Sequence, residues 1–301
     1  MSARVNKRPV AVTPALLRRW PIPQPDDDAD KQDRGVAMVV GGAAEIPGAL
    51  LLAGIAALRA GAGKLQLAAP RSAATTLAVA LPEARVFALT ENRDGFLDRK
   101  AGAQAGDCAE GATSILVGPG MLDDESIRGF IDAFYPRVSS RTVVIDAVAL
   151  AALRGGRPRF VEDAQVMLTP NAGEMAKLTG ESKDEIEAHP RDVADRVARD
   201  LNAVVVLKGP ETCICTPCGE SFRYSAGGVG LATSGSGDVL AGVILGLLAR
   251  GATLDQAAVW GVHLHGAAGN RLKQKMGPIG FLARELADEI PSLMNGLSAR
   301  R

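Results

Sequence analysis

The residues with the clearest chemistry lie in the run Thr233-Ser234-Gly235-Ser236-Gly237-Asp238, which leads into the apolar stretch Val239 to Ala249. Small residues ahead of a helix leave backbone N–H groups unpaired at its positive end, a ready site for a phosphate. Glycine at Gly235 and Gly237 lets the backbone approach an anion closely. A carboxylate in the same turn repels a phosphate unless it takes a proton from the group attacking that phosphate. Asp238 is therefore read as a general base, with a plain helix-capping role as the alternative. The helix that follows is apolar nearly all round, so it is expected to be buried with its start opening into the domain.

Four further turns offer partners. Lys208-Gly209-Pro210-Glu211-Thr212 follows the apolar run Val204 to Leu207, so Lys208 can offset phosphate charge while Gly209 leaves room for a nucleotide. Thr169-Pro170-Asn171-Ala172-Gly173-Glu174 can put polar atoms over the same crevice, with Glu174 near a hydrated metal. The same residues also fit a capping box, Asn171 capping a helix over 172–179 and Glu174 answering it; both roles are compatible. Gly118-Pro119-Gly120 and Asp146-Ala147 close two other strands. No Gly-Lys-Ser/Thr follows the glycines, which excludes a Walker A loop, and no Gly-x-Gly-x-x-Gly follows the first strand, which argues against a dinucleotide-dependent dehydrogenase.

Other reactive types carry less. Cys213-x-Cys215-x-x-Cys218 has a metal-like spacing but no fourth ligand nearby, so a zinc site is not expected. His263 and His265 fall in the apolar stretch AAVWGVHLHGAAG and are read as buried, hydrogen-bonded structural histidines.

These turns need a scaffold that brings them to one edge. Short apolar runs at 36–40, 65–69, 114–117, 142–145, 166–168 and 204–207 read as buried strands. Helical patterns fall near 47–60, 72–81, 123–135, 172–179 and 184–200. From residue 213 the rhythm changes to a hairpin over 213–226, then helices near 237–250, 254–274 and 281–296. Repeated strand–helix units predict an α/β fold, a mostly parallel sheet with helices on both faces, and ligands beyond the carboxyl ends of the strands. Residues 1–30, rich in Pro and ending in Asp26-Asp27-Asp28, read as a partly ordered surface arm, with a short helix at 13–19. Residues 31–301 contain no Pro/Gly/Ser linker and are expected to form a single catalytic domain.

The balance of 34 Lys+Arg against 34 Asp+Glu gives zero formal net charge, which argues against a nucleic-acid partner. The 47% hydrophobic content excludes a disordered chain. No export signal or membrane-spanning run is read, so a cytoplasmic location without disulfides or membrane partner is expected.

Taken in order, Lys31-x-x-x-Gly35, Gly41-Gly42, Pro47-Gly48-Ala49, Ala57-Leu58-Arg59-Ala60-Gly61-Ala62-Gly63, Gly118-Pro119-Gly120, Thr169-Pro170-x-x-Gly173-Glu174, Leu207-Lys208-Gly209 and Gly235-Ser236-Gly237-Asp238-Val239-Leu240-Ala241-Gly242 resemble the ADP/ATP-dependent NAD(P)H-hydrate dehydratases over almost the whole chain. The resemblance implies a ribokinase-like three-layer sandwich and a stand-alone dehydratase without the family's epimerase domain. It implies a metabolite-repair lyase: the hydroxyl on hydrated NADH or NADPH (NADHX, NADPHX) is phosphorylated at the expense of ADP or ATP, and phosphate is then eliminated. Carried over from the family, the substrate lies near Ala49, Gly120, Asn171 and Asp238. The nucleotide lies near Lys208, Gly209, Pro210, Glu211, Thr212, Gly235, Ser236 and Gly237, with Mg²⁺ on its phosphates and a homo-oligomer, a tetramer, as the assembly. Three positions depart from the family pattern: Asn171 stands for the usual His, Val148 for the second Asp of Asp-Ala-Asp, and Ser236 for the usual Thr. Two alternatives stay open at this level, a ribokinase-like kinase of a vitamin-precursor alcohol and a nucleotide-binding relative without turnover.

Overall fold

Val36 to Val40 carries five apolar residues in a row because both of its faces are covered. Ala37 and Val39 join one buried cluster, Met38 and Val40 the other. The architecture below is that of a computed structural model, which describes residues 8–26, 28–122, 126–138, 141–155 and 165–297.

The strands in chain order are β1 (Val10–Ala11), β2 (Val36–Val40), β3 (Lys64–Pro70), β4 (Ala84–Leu89), β5 (Ser114–Val117), β6 (Thr142–Ile145), β7 (Gln165–Leu168), β8 (Val204–Leu207), β9 (Thr212–Cys215) and β10 (Ser221–Tyr224). They form one sheet in the order β1-β10-β9-β8-β7-β6-β5-β2-β3-β4. Every pairing is parallel except the two made by β9. The chain runs outward from β2 to β4, then returns to place β5 on the other side of β2. Such a reversal opens a crevice at the carboxyl ends of β2 and β5, where loops leave in opposite directions.

The helices are α1 (Pro14–Arg19), α2 (Gly48–Arg59), α3 (Arg71–Ala80), α4 (Arg99–Cys108), α5 (Ser126–Phe134), α6 (Ala172–Thr179), α7 (Lys183–Ala188), α8 (Pro190–Leu201), α9 (Ser236–Ala249), α10 (Leu254–Met276) and α11 (Ala283–Leu297). Residues of α1–α3 and α9–α11 fill one core cluster, and residues of α4–α8 fill the other, giving three layers. Backbone contact sets the α2–α9 pair: a Cβ on Gly242 would overlap the Ala53 carbonyl, so only glycine allows this approach. Among the described residues, no helix is long and apolar enough to cross a membrane.

The structure departs from the sequence reading in four places, each with a physical cause. The helix expected over 184–200 is two, α7 and α8, broken at His189, because Pro190 lacks an N–H and becomes the first residue of α8. The pattern gave no sign of α4, because it faces the core with Ala101, Gly102, Ala105 and Gly106 rather than large apolar residues; Asp98 starts it by accepting from the Lys100 and Ala101 N–H groups. β4, half-exposed at the sheet edge, was likewise not anticipated. The arm does more than lie on the surface: Leu17 is fully buried, and β1 pairs with β10. Its carbonyls are held by Trp260 Nε1 (to Trp20 O, 2.8 Å), Gln256 Nε2 (to Pro21 O, 2.9 Å) and Arg250 (to Pro23 O, 2.8 Å). Residues 1–7 and 27 of the arm, and 123–125 of the helix expected near 123–135, lie outside the described residues.

Candidate active site

The glycine turn before α9 is built by sterics. Gly235 adopts φ 86°, in the left-handed region, and a Cβ there would overlap Leu52 Cδ1 of α2. The chain then enters α9 with no side-chain cap. The Ser236 N–H donates to Thr233 O at 3.2 Å, and the Val239 N–H to Gly235 O at 3.1 Å. The amides of Gly237 and Asp238 have no acceptor among the described residues, so these two, rather than that of Ser236, face outward at the positive end of the helix.

Lys208 reaches this turn from β8. Its Nζ lies 3.0 Å from Asp146 Oδ1 and 3.5 Å from Glu174 Oε2, and a Cβ on Gly237 would stand 3.4 Å from the same nitrogen. Burial by itself lowers the Lys208 ammonium, but the Asp146 and Glu174 charges and hydrogen bonds outweigh it and hold its pKa above the ordinary value. Asp146, at the end of β6, is 2% exposed and also accepts from Thr169 Oγ1 at 2.7 Å. Burial, followed by the Asp146 charge, pushes the Asp238 carboxyl up to about 7; Lys208 pulls it down and Glu174 adds to the rise. A carboxylate of that basicity takes a proton far better than an ordinary one.

The contacts close a ring around the crevice. Gly120 packs on Ala49, with 3.0 Å between the position of its missing Cβ and Ala49 Cβ, and Gly118 lies against the Asp146 carbonyl. Asp146 binds Lys208, Lys208 borders Gly237, and Gly235 rests on Leu52, one turn of α2 after Ala49. Strand ends β2, β5, β6 and β8 and the starts of α2 and α9 thus frame a single opening.

Other predicted residues take different places. Asn171 and Glu174 form the capping box of α6, Glu174 N donating to Asn171 Oδ1 at 2.9 Å and Asn171 N to Glu174 Oε2 at 2.8 Å. Gly209 and Pro210 are exposed on the β8–β9 turn, and Thr212 opens β9. Glu211 turns to Arg223 (3.2 Å) and Ser225 (2.7 Å). Val148 packs half-buried against the α4–α8 core. Cys213 and Cys215 point into that core, their thiols pushed up to about 11 and about 12 chiefly by burial, while Cys218 is exposed in the hairpin turn.

Two participants had no sequence signal for their roles. Asp146 is the residue that holds Lys208, and His265 of α10 shares a hydrogen bond with Ser236 Oγ, Nε2 to Oγ 3.0 Å. A lone Asp ending an apolar strand was visible; its partner 62 residues on was not.

The fold is shared with a solved protein first. A solved ribokinase-like superfamily protein from Enterococcus faecalis superposes with a TM-score of 0.81 at 24% identity, over 97% of each chain. A family model described as NAD(P)H-hydrate dehydratase matches residues 37–292, and the chain belongs to that family. It is 44% identical over 290 residues to the ADP-dependent (S)-NAD(P)H-hydrate dehydratase of Xanthomonas campestris, covering 95% of this chain and 96% of that one. The crystal structure of the Bacillus subtilis ADP/ATP-dependent NAD(P)H-hydrate dehydratase, co-crystallized with ATP/Mg²⁺, matches with a TM-score of 0.84 at 30% identity, covering 96% and 99%.

Proposed function

We propose that this chain is an ADP-dependent (S)-NAD(P)H-hydrate dehydratase that repairs hydrated NADH and NADPH. The observation that carries the reading is the meeting of a basic carboxyl, Asp238, with free helix-terminal amides and the Lys208 ammonium at one strand-end opening. Asp238 takes the proton of the ring hydroxyl as its oxygen attacks the terminal phosphoryl of ADP, whose bond to the remaining phosphate breaks and releases AMP. The Gly237 and Asp238 amides and Lys208 balance the charge on the moving phosphoryl group. The ring C–O bond then breaks, phosphate departs, the neighbouring carbon loses a proton, and the reduced nicotinamide is restored. Ala49, Gly120 and Asn171 border the substrate, and Lys208 to Thr212 with Gly235 to Gly237 border the nucleotide.

Two carboxylates, Asp146 and Glu174, pair with the single Lys208 ammonium and Asp238 lies near enough to sense all three, so a divalent cation arriving with the phosphates fits the charge balance. Mg²⁺ is read as carried on the nucleotide, with Glu174 meeting its hydration shell. When bound, Mg²⁺ neutralises phosphate charge during transfer. A cytoplasmic homo-oligomer, a tetramer, completes the reading.

The test adds ADP and Mg²⁺ to chemically hydrated NADH and follows the absorbance of the reduced nicotinamide. Recovery that Asp238→Asn abolishes is the expected result. Accumulation of a stable phosphate ester in place of recovery overturns it.

A further inference from the structure

Burying an imidazole among apolar side chains costs free energy unless its nitrogens are hydrogen-bonded. His265 is 8% exposed on α10, between fully buried Leu264 and Ala268, and its ring reaches across to Ser236, itself 4% exposed. Ser236 is the first residue of α9, lying between the left-handed Gly235 and the two free amides. A serine hydroxyl at this point has other partners within reach: a backbone N–H of the first turn, or an incoming anion. Here it caps nothing; α10 holds it.

That helix is a firm platform. Gly266 lets it press against Tyr224 of β10, and Trp260 ties it to the arm. Burial pushes the His265 imidazole down to about 4, opposed by a hydrogen bond to the Ser236 backbone and helped by the Lys208 charge, so the brace is neutral at neutral pH and adds no charge behind the phosphate site.

We propose that His265 is a positioning residue for phosphoryl transfer: by holding Ser236 Oγ from α10, it fixes the first turn of α9 and so aims the Gly237 and Asp238 amides and the Asp238 carboxylate. The inference rests on the phosphoryl-transfer reading for the ligand, but its geometry stands on the His265–Ser236 contact alone.

The test is a double-mutant cycle of His265→Leu and Ser236→Ala on the full chain, with His265→Gln as the conservative replacement. Each change is expected to raise the KM for ADP about tenfold, the worth of one hydrogen bond, with the KM for the hydrated dinucleotide unmoved. The double variant should be no worse than either single one, and His265→Gln should recover most of the loss, because its side-chain amide can still bond Ser236. Effects that multiply, or a fall in thermal stability with unchanged ADP kinetics, overturn the proposal. If His265→Leu does not fold, Ser236→Ala alone must still raise the KM for ADP while His265→Gln stays near wild type, and an unchanged KM in Ser236→Ala overturns the proposal. Calorimetric titration with ADP and Mg²⁺ repeats the cycle without turnover. A wild-type chain that binds ADP but restores no nicotinamide absorbance counts against the dehydratase reading, and the binding cycle still decides the role of His265.

Discussion

Lys208 Nζ lies 3.0 Å from Asp146 Oδ1, with side-chain exposures of 18% and 2%, and this buried pair points a cation at the start of α9. Removing one partner of such a pair strands the other charge in a poorly solvated place. Lys208→Met is therefore expected to destabilise the fold by about 3 kcal/mol, measured by urea unfolding. The same variant should bind ADP more weakly by calorimetry. Asp146→Asn keeps a hydrogen-bond acceptor for Thr169 and Lys208 and should cost less.

The pH dependence follows from Asp238. Its carboxyl titrates near 7, and the base must be ionised, so kcat/KM is expected to rise through about pH 7 and level above it. Lys208 lowers this value and Glu174 raises it. Glu174→Gln should accordingly shift the acid limb of the pH–rate profile to lower pH, and residual activity of Lys208→Met should show it moved higher. An acid limb at the ordinary carboxylate value would remove Asp238 as the base.

Asp238 also opposes stability where it acts. Its folded value of about 7 lies above the ordinary 3.8, so the folded chain prefers the protonated form. The stability this group contributes is complete below about pH 4 and is lost as pH rises through about 7. Asp238→Asn should abolish turnover yet stabilise the chain at pH 8 by on the order of 2 kcal/mol, after discounting for partial exposure, and leave it unchanged near pH 4. Calorimetric melting at the two pH values reads the difference.

Gly242 tests the α2–α9 seam. Gly242→Ala puts a methyl group into the Ala53 carbonyl, and the two helices must part. A loss of about 1–3 kcal/mol is expected, and because α2 also carries Ala49 and Leu52, the KM for the hydrated dinucleotide should rise.

Trp260 tests the arm. Trp260→Phe leaves the Trp20 carbonyl without its donor, at a cost of about 1–2 kcal/mol. Limited proteolysis within residues 8–26 should quicken while the helices packed on the sheet stay protected.

Much of this protein was legible in the chain because the information was local. Val36–Val40, Ser114–Val117 and Thr142–Ile145 read as strands from composition, since a strand covered on both faces is apolar throughout. The Gly235–Asp238 turn and its chemistry also stood in one short run, because a helix start supplies its own amides and dipole. Tertiary structure alone decided what crosses the chain. Nothing near Asp146 announced Lys208, and nothing near His265 announced Ser236, because each pair meets only when separate strand and helix ends converge on one edge of the sheet. The basicity of Asp238 is of the same kind: a carboxyl's pKa depends on burial and on charges gathered from three other elements, and neither exists until the chain has folded.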